Sequence, residues 1–275
     1  MKVFGYGDSI PRGTFQLHSA FENAINFQGR KGVVVSLVSR KTGNGPMNIV
    51  LKHLPRGARR LKVTKFKFYV DENCLEADPE KNYDSAIPVL PLDPLLFRKN
   101  LNSLKGFLAA SAPAKSMCFL FSVSAEAAFK SPFERKILKK MKEGVRLFET
   151  GAYVKGARAL RGLGFGLTPS GDDFLCGCLT GLSFVEACLD LDLSEILNAV
   201  YDNALTENII SGSFTWCAYN GRVNEKTRGL LAALAGTGKA RLLSSSRAAL
   251  KRGHTSGADF CAGLVYGCEA GLRAA

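Results

Sequence analysis

Residues 162–177 read GLGFGLTPSGDDFLCG. Three spaced glycines lead into Thr168-Pro169-Ser170-Gly171. Two adjacent aspartates follow, and then an apolar run that continues to Val185. Ser170 is a good helix N-cap, and Asp172 and Asp173 fall in the first turn, where the helix dipole favours acids. The stretch therefore predicts the start of a long buried helix. GLGFG lacks a following Gly-Lys-Ser/Thr, so it is not a Walker loop. No strand clearly precedes it, so it is not a dinucleotide fingerprint.

The stretch has an echo 86 residues later. Residues 168–181, TPSGDDFLCGCLTG, align with residues 254–267, HTSGADFCAGLVYG, and six of the fourteen positions are identical. Agreement at that level signals an internal repeat of a helix start, with Ser256 as the second N-cap and an apolar run to Ala270. On a helical period Asp173, Gly177 and Gly181 form one stripe, and Asp259, Gly263 and Gly267 form its counterpart. Glycine stripes let backbones approach closely. The two helices are predicted to cross through them about a pseudo-two-fold, bringing Asp173 and Asp259 face to face.

Two close carboxylates resist joint ionisation and call for a cation, strong donors or a shared proton. Helix N-termini attract anions. A site with both features suits a metal-bound phosphate, or a phosphate flanked by hydroxyls and His254. The simpler alternative is that the aspartates are cap-box acids and the glycines serve packing alone. Thr206, Asn208, Ser211 and Ser213 in TENIISGSFTWCAYNG (206–221) either complete such a site or cap the next helix. In HSAFENAINF (18–27), His18 and Ser19 stand where a strand gives way to a short helix, and His18 is a further candidate. TGNGP (42–46) reads as a hairpin turn.

The rest of the chain divides by period. GVVVSLVS (32–39), MNIVLK (47–52) and LKVTKFKFYV (61–70) read as strands, the last with Thr64, Phe66, Phe68 and Val70 on one face. Proline-rich AIPVLPLDP (86–94) marks a linker or domain edge. Residues 95–110 look helical, and MCFLFSV (117–123) has no assignable period. Ser131, Pro132 and Glu134 form a capping box ahead of Phe133, Ile137, Met141 and Phe148 at helical spacing. SEILNAVYDNALTENI, TRGLLAALAG and SSRAALKRG complete an Ala/Leu/Gly-rich helical half. The expectation is an α+β protein: a β-rich domain over 1–94, then a mainly α-helical domain over 95–275 carrying the repeat.

With 275 residues, 46% of them hydrophobic, a sizeable core is affordable. No apolar run reaches membrane-span length, and Lys2 is followed by no apolar stretch of signal-peptide type. Eight cysteines lie mostly in apolar runs without CxxC or Cys/His clusters, which fits reduced thiols in a cytoplasmic protein and excludes structural zinc. The net charge of +13 comes from the first half: 25 Lys+Arg against 13 Asp+Glu in residues 1–150, and 12 against 11 thereafter. The basic runs RGARRLKVTKFKF (56–68) and ERKILKKMKEG (134–144) alternate as solvated faces of a strand and a helix, so nucleic acid is not the expected partner.

GLGFGLTPSGDDFLCGCLTGL (162–182), GHTSGADFCAGLVYG (253–267), HSAF (18–21) and GPMNIVL (45–51) resemble the recurring blocks of a bacterial AllH-like family. It was formerly a domain of unknown function and includes the small subunit of the oxamate carbamoyltransferase complex of anaerobic allantoin degradation. Phe165 departs from the family pattern, where proline is expected. The resemblance implies transfer of a carbamoyl group between phosphate and a small amide acid: oxalurate plus phosphate giving oxamate and carbamoyl phosphate. It implies an anion cradle of Thr168, Ser170, Gly171, Thr255, Ser256 and Gly257, joined by Thr206, Ser211 and His18. His254 would polarise the carbonyl or move a proton. Asp172, Asp173 and Asp259 would orient an amide nitrogen, with Asp172 and Asp173 as candidate ligands for Mg²⁺. Partner subunits or a homo-oligomer are implied. The competing reading is a non-catalytic binding or assembly subunit of a purine-catabolism complex.

Overall fold

The computed structural model describes residues 2–65 and 67–275. The chain forms two compact units, one of Met1–Ala86 with Arg222–Glu225, the other of Ile87–Gly221 with Lys226–Ala275. The units part at Ala86/Ile87, inside the proline-rich stretch, and four residues of the helical half return to the sheet unit. Val223 N donates to Ser85 O (2.8 Å) and Glu225 N to Asn44 O (3.1 Å).

The first unit is a curled nine-stranded sheet among the described residues. Its strands are β1 (Val3–Gly7), β2 (Gly13–Ala20), β3 (Ala24–Gln28), β4 (Val34–Ser39), β5 (Asn48–Leu51), β6 (Arg60–Val63), β7 (Lys67–Val70), β8 (Asn73–Glu76) and β9 (Asn82–Tyr83). Their spatial order is β8-β7-β6-β2-β3-β4-β5-β1-β9. Curling brings Lys2, just before β1, into a bridge with Glu76. Alternating residues fill one core: Phe15, Phe27, Leu37, Ile49, Leu51, Leu61 and Leu75 are all buried.

Three local expectations change. The run 61–70 is a hairpin, not one strand: Thr64 N donates to Lys67 O and closes a turn between β6 and β7. Leu61 and Val63 then share the core with Phe68 and Val70, a change of parity that the turn permits. Phe66 lies outside the described residues. TGNGP is no hairpin turn, because β4 and β5 run parallel. Thr42 N and Gly43 N both donate to Ser39 O, turning the chain at the end of β4 so that it runs back before β5 begins. His18 and Ser19 lie inside β2, not at a helix start.

The second unit is helical: α1 (Pro94–Ser111), α2 (Pro132–Glu149), α3 (Tyr153–Leu160), α4 (Ser170–Leu189), α5 (Ser194–Ala204), α6 (Ile209–Tyr219), α7 (Glu225–Ala235, whose first residue belongs to the sheet unit), α8 (Lys239–Leu250) and α9 (Ser256–Ala274). The sequence class is thus observed: a β-rich N-terminal part followed by helices. α2 has the expected capping box, Ser131 with Glu134, and Pro132 at its start. It buries Ile137, Met141 and Phe148, whereas Phe133, in the first turn on the same four-residue spacing, is 66% exposed and meets the Phe165 ring. The aperiodic residues 117–121 form a buried 3-10 turn.

α4 is the centre of this unit, with every residue from Ser170 to Val185 buried. A helix apolar all round needs neighbours on every side. α9 supplies the closest one, and the glycine stripes meet as the repeat predicts. A methyl on Gly177 would sit 2.1 Å from Phe260 O, and one on Gly181 2.5 Å from Leu264 O. In return, a methyl on Gly263 would sit 1.8 Å from Phe174 O, and one on Gly267 2.1 Å from Cys178 O. Each stripe presses on the other helix's backbone.

Candidate functional site

Crossing at their glycines places the first turns of α4 and α9 together. Ser170 and Ser256 are the first helical residues; the caps are Pro169 and Thr255, and neither makes a side-chain cap bond. This corrects the N-cap expectation. It has a chemical consequence, because hydroxyls freed from capping are available to the site.

Loop 162–168 folds back over the start of α4. Gly162, Gly164 and Gly166 all have positive φ (68°, 124° and 98°). At Gly164 a methyl would also lie 2.7 Å from Ser170 N, so both backbone shape and space demand glycine there. Gly162 N donates to Asp172 Oδ1. Gly171 N donates to Leu163 O (2.8 Å), and Asp172 N and Asp173 N both donate to Pro169 O. In α9, Gly257 N donates to Arg252 O, while Ala258 N and Asp259 N donate to Thr255 O. The amides of residues 171–173 and 257–259 are thus engaged by backbone carbonyls. Gly171 and Gly257 also admit a backbone: methyls there would lie 1.9 Å from Leu160 O and 2.4 Å from Ala249 O.

The side chains converge instead. Thr168 Oγ1 donates to Asp173 Oδ2 (2.8 Å) and lies 3.1 Å from Ser256 Oγ. Thr168 has one hydroxyl proton, already given to Asp173, so Ser256 donates to Thr168. A chain of donors, Ser256 to Thr168 to Asp173, joins the two copies of the motif. Asp259 is 0% exposed; its Oδ1 accepts from Met117 N (2.6 Å) and its Oδ2 has no hydrogen-bond partner.

Burial raises the pKa of both carboxyls, and each is affected by a neighbour of the other copy. For Asp173, burial outweighs the hydroxyls of Thr168 and Ser256 and the Arg252 charge, and Asp172 adds repulsion. For Asp259, burial is joined by repulsion from Asp173, against the Met117 amide and the hydroxyls of Ser170 and Thr255. The reciprocal neighbours, Ser256 by Asp173 and Ser170 by Asp259, are the pseudo-two-fold expressed in chemistry. Two such carboxyls hold a proton more readily than solvated ones, and the pair titrates as a unit.

Asp172 belongs to a second polar cluster. Its Oδ1 takes the Gly162 amide, Thr206 Oγ1 lies 3.5 Å from its Oδ2, and burial raises its pKa against Gly162, Ser211 and Thr206. Asn208 caps α6 through Ile210 N and Ser211 N, and its Nδ2 donates to Leu167 O (2.7 Å), tying segment 206–211 to the first motif. Adjacent helix residues point about 100° apart, and Asp172 and Asp173 accordingly serve different partners. Among the described residues no group of three or more His, Cys, Asp or Glu is gathered to hold a metal. The two aspartates do not offer Mg²⁺ a common point.

His254 is exposed, and Thr255 and Ser256 are half-buried. His18 lies in the sheet unit, with Nδ1 3.0 Å from Ser19 Oγ. Two participants escape sequence reasoning. Met117 acts through its backbone amide, which no side-chain motif reports. Arg252, two residues before the second motif, lies over the Phe260 ring (4.9 Å) with its charge felt at Asp173, Cys176 and Cys261. Its place immediately upstream of a repeated helix start was the available signal.

Residues 160–268 match the family model described as "Oxamate carbamoyltransferase subunit AllH". The match takes in both motif copies, segment 206–221 and Arg252, but not Met117. It bears out the resemblance read from the motifs over that span. No curated protein and no solved structure matches the chain. No helix among the described residues is long and apolar enough to cross a membrane.

Proposed function

We propose that the α4–α9 crossing is the carbamoyl-handling site of an oxamate carbamoyltransferase subunit. The observation that carries this reading is the donor chain from Ser256 through Thr168 to Asp173, which links both motif copies inside the matched segment. The reaction joins a phosphate oxygen to the carbamoyl carbon of oxalurate and breaks the carbon–nitrogen bond. Oxamate nitrogen leaves with a proton, and carbamoyl phosphate forms.

In this reading the Asp173–Asp259 pair keeps one proton close to the leaving nitrogen and returns to its starting state through Thr168 and Ser256. Ser170 and Thr255 supply hydroxyl donors to the substrate, the Thr168 and Ser256 protons being committed to the donor chain. Gly171 and Gly257 shape the floor, since their amides are spent internally. Arg252 and exposed His254 meet the phosphate at the edge. Asp172, with Thr206 and Ser211, holds loop 162–168 in place. Partner subunits supply whatever the chain lacks for turnover.

A second reading, an assembly subunit without catalysis of its own, draws on the exposed pair Phe133 and Phe165, whose rings lie 6.2 Å apart edge to face beside loop 162–168. Apolar side chains of this size at the surface are ordinary in protein interfaces. The two readings part on one experiment: carbamoyl phosphate formation from oxalurate and phosphate by the chain with its partner subunits, comparing wild type with Asp173→Asn and Ser256→Ala. Catalysis predicts a loss of about 100-fold or more in kcat for Asp173→Asn with the complex intact. Unchanged turnover in an intact complex would leave the assembly reading standing.

A further inference from the structure

The crossing presents two carboxyls, Asp173 and Asp259, at its buried end. Asp259 is completely buried, Met117 N occupies its Oδ1, and its Oδ2 makes no hydrogen bond, although the hydroxyls of Ser170 and Thr255 stand near the carboxyl. Asp173, 5% exposed, stands across from it. A buried carboxylate oxygen left unpaired is costly, so a donor brought by a ligand is gained at unusual benefit. An oxyanion fares badly in the same place. Two acidic side chains repel it, and the amides of residues 171–173 and 257–259 are already bonded to Leu163 O, Pro169 O, Arg252 O and Thr255 O.

From this inventory we propose that the floor formed by Asp173 and Asp259 receives the N–H groups of a primary amide or ureido group and does not receive phosphate. The proposal rests on the carbamoyl-handling reading and adds the orientation of the ligand. The –NH₂ end enters, and the anionic end stays outward toward Arg252, Thr255 and Ser256, the part-exposed residues above the pair. The site then sorts ligands by one atom, accepting a carboxamide and rejecting the carboxylate of the same shape. A site built to hydrogen-bond a ligand N–H discriminates strongly, because the wrong ligand leaves buried groups unpaired. Here the wrong ligand also adds a charge beside two acids.

Oxamate and oxalate differ in just this way, –NH₂ against –O⁻. Isothermal titration of the full chain with each, and with inorganic phosphate, reads the preference. Oxamate is expected to bind about tenfold tighter than oxalate or more, with phosphate no tighter than oxalate. Asp259→Asn keeps an Oδ1 acceptor for Met117 N but replaces the unpartnered oxygen with a donor, and the preference should fall to near parity. Asp173→Asn is the second variant, should Asp259→Asn lose its native circular dichroism. Oxalate or phosphate binding as tightly as oxamate overturns the proposal. So does the absence of oxamate binding, or an unchanged preference in the folded variant. Carbamoyl phosphate formation is scored separately. A chain that prefers oxamate without turnover upholds the amide floor and defeats the transferase reading; turnover without the preference does the reverse.

Discussion

Replacing Gly263 by alanine tests the helix crossing on which the site depends. The added methyl would lie 1.8 Å from Phe174 O, 2.6 Å from Phe174 C and 2.9 Å from Phe174 Cα. All three are backbone atoms of a helix buried along its length, so no rotamer change relieves the clash. Ordinary carbon–oxygen contact needs roughly 3.3 Å, so α4 and α9 must part by about 1.5 Å near their first turns, forfeiting a large part of the dispersion energy along the seam. Overpacking of this kind costs about 1–3 kcal/mol where neighbours can shift. Against rigid backbone the expected cost is at the top of that range or beyond, about 3–5 kcal/mol, or roughly a 6–20 °C fall in Tm for a chain of this size. Gly106→Ala is the control. That glycine lies in α1 with nothing within 4 Å of the added methyl, so the change should stabilise by about 0.5–1 kcal/mol. Thermal unfolding followed by circular dichroism compares the two. A Gly263→Ala protein melting within about 2 °C of wild type would refute the backbone-to-backbone crossing, and with it the convergence of Asp173 and Asp259.

Three more outcomes are expected. Because the folded state raises the pKa of Asp173 and Asp259 to about 7 from 3.8, it binds more protons than the unfolded chain between those values. Stability from the pair is therefore full below about pH 4 and is lost as pH rises to about 7, by about 4 kcal/mol for each proton the fold retains. Unfolding in urea at pH 5 and pH 8 measures this, and Asp173→Asn should flatten the slope; an equal slope in the variant counts against the pair. Ser131→Ala removes a cap from Glu134 N and should cost about 1 kcal/mol, seen as a lower urea midpoint with the site's ligand affinity unchanged. Asp8→Ala strips Ser85, which is 0% exposed, of the acceptor for both its amide and its hydroxyl, and also unpairs Arg222. A cost of about 2–3 kcal/mol is expected in the sheet unit, read by hydrogen exchange of β1 and β9, and unaltered exchange there would contradict it.

The sheet was partly legible because half-buried strands alternate, but direction and turns were not. β4 and β5 have the same period whether they run parallel or antiparallel, and TGNGP is compatible with either. The hairpin in 61–70 hid for a similar reason: alternation continued across residues 64–67 in the sequence, although the chain reversed there. Periodicity records which face a residue occupies, whereas strand direction is decided by hydrogen bonds such as Thr64 N to Lys67 O, which belong to every residue type alike.

The site was legible to the extent that geometry forced its residue types. Backbone that would lie within 2.5 Å of an added methyl admits glycine alone, so the crossing wrote itself into both stripes, and the repeat exposed it. The carboxylates follow, because a residue four positions from Gly177 or Gly263 lies on the same stripe. The roles of the serines do not follow. A serine at a helix start caps or projects according to one backbone dihedral pair, and Pro169 and Thr255 took the cap positions, which left Ser170 and Ser256 facing across the pseudo-two-fold. The donor that pins Asp259 is an amide from a segment 142 residues away, and any residue at Met117 would offer it. What distinguishes a reactive site from a bare helix crossing here is therefore a buried carboxylate oxygen that makes no hydrogen bond, Asp259 Oδ2, and a chain that buries a carboxylate at a glycine crossing with one oxygen unbonded has kept a place for a donor from elsewhere.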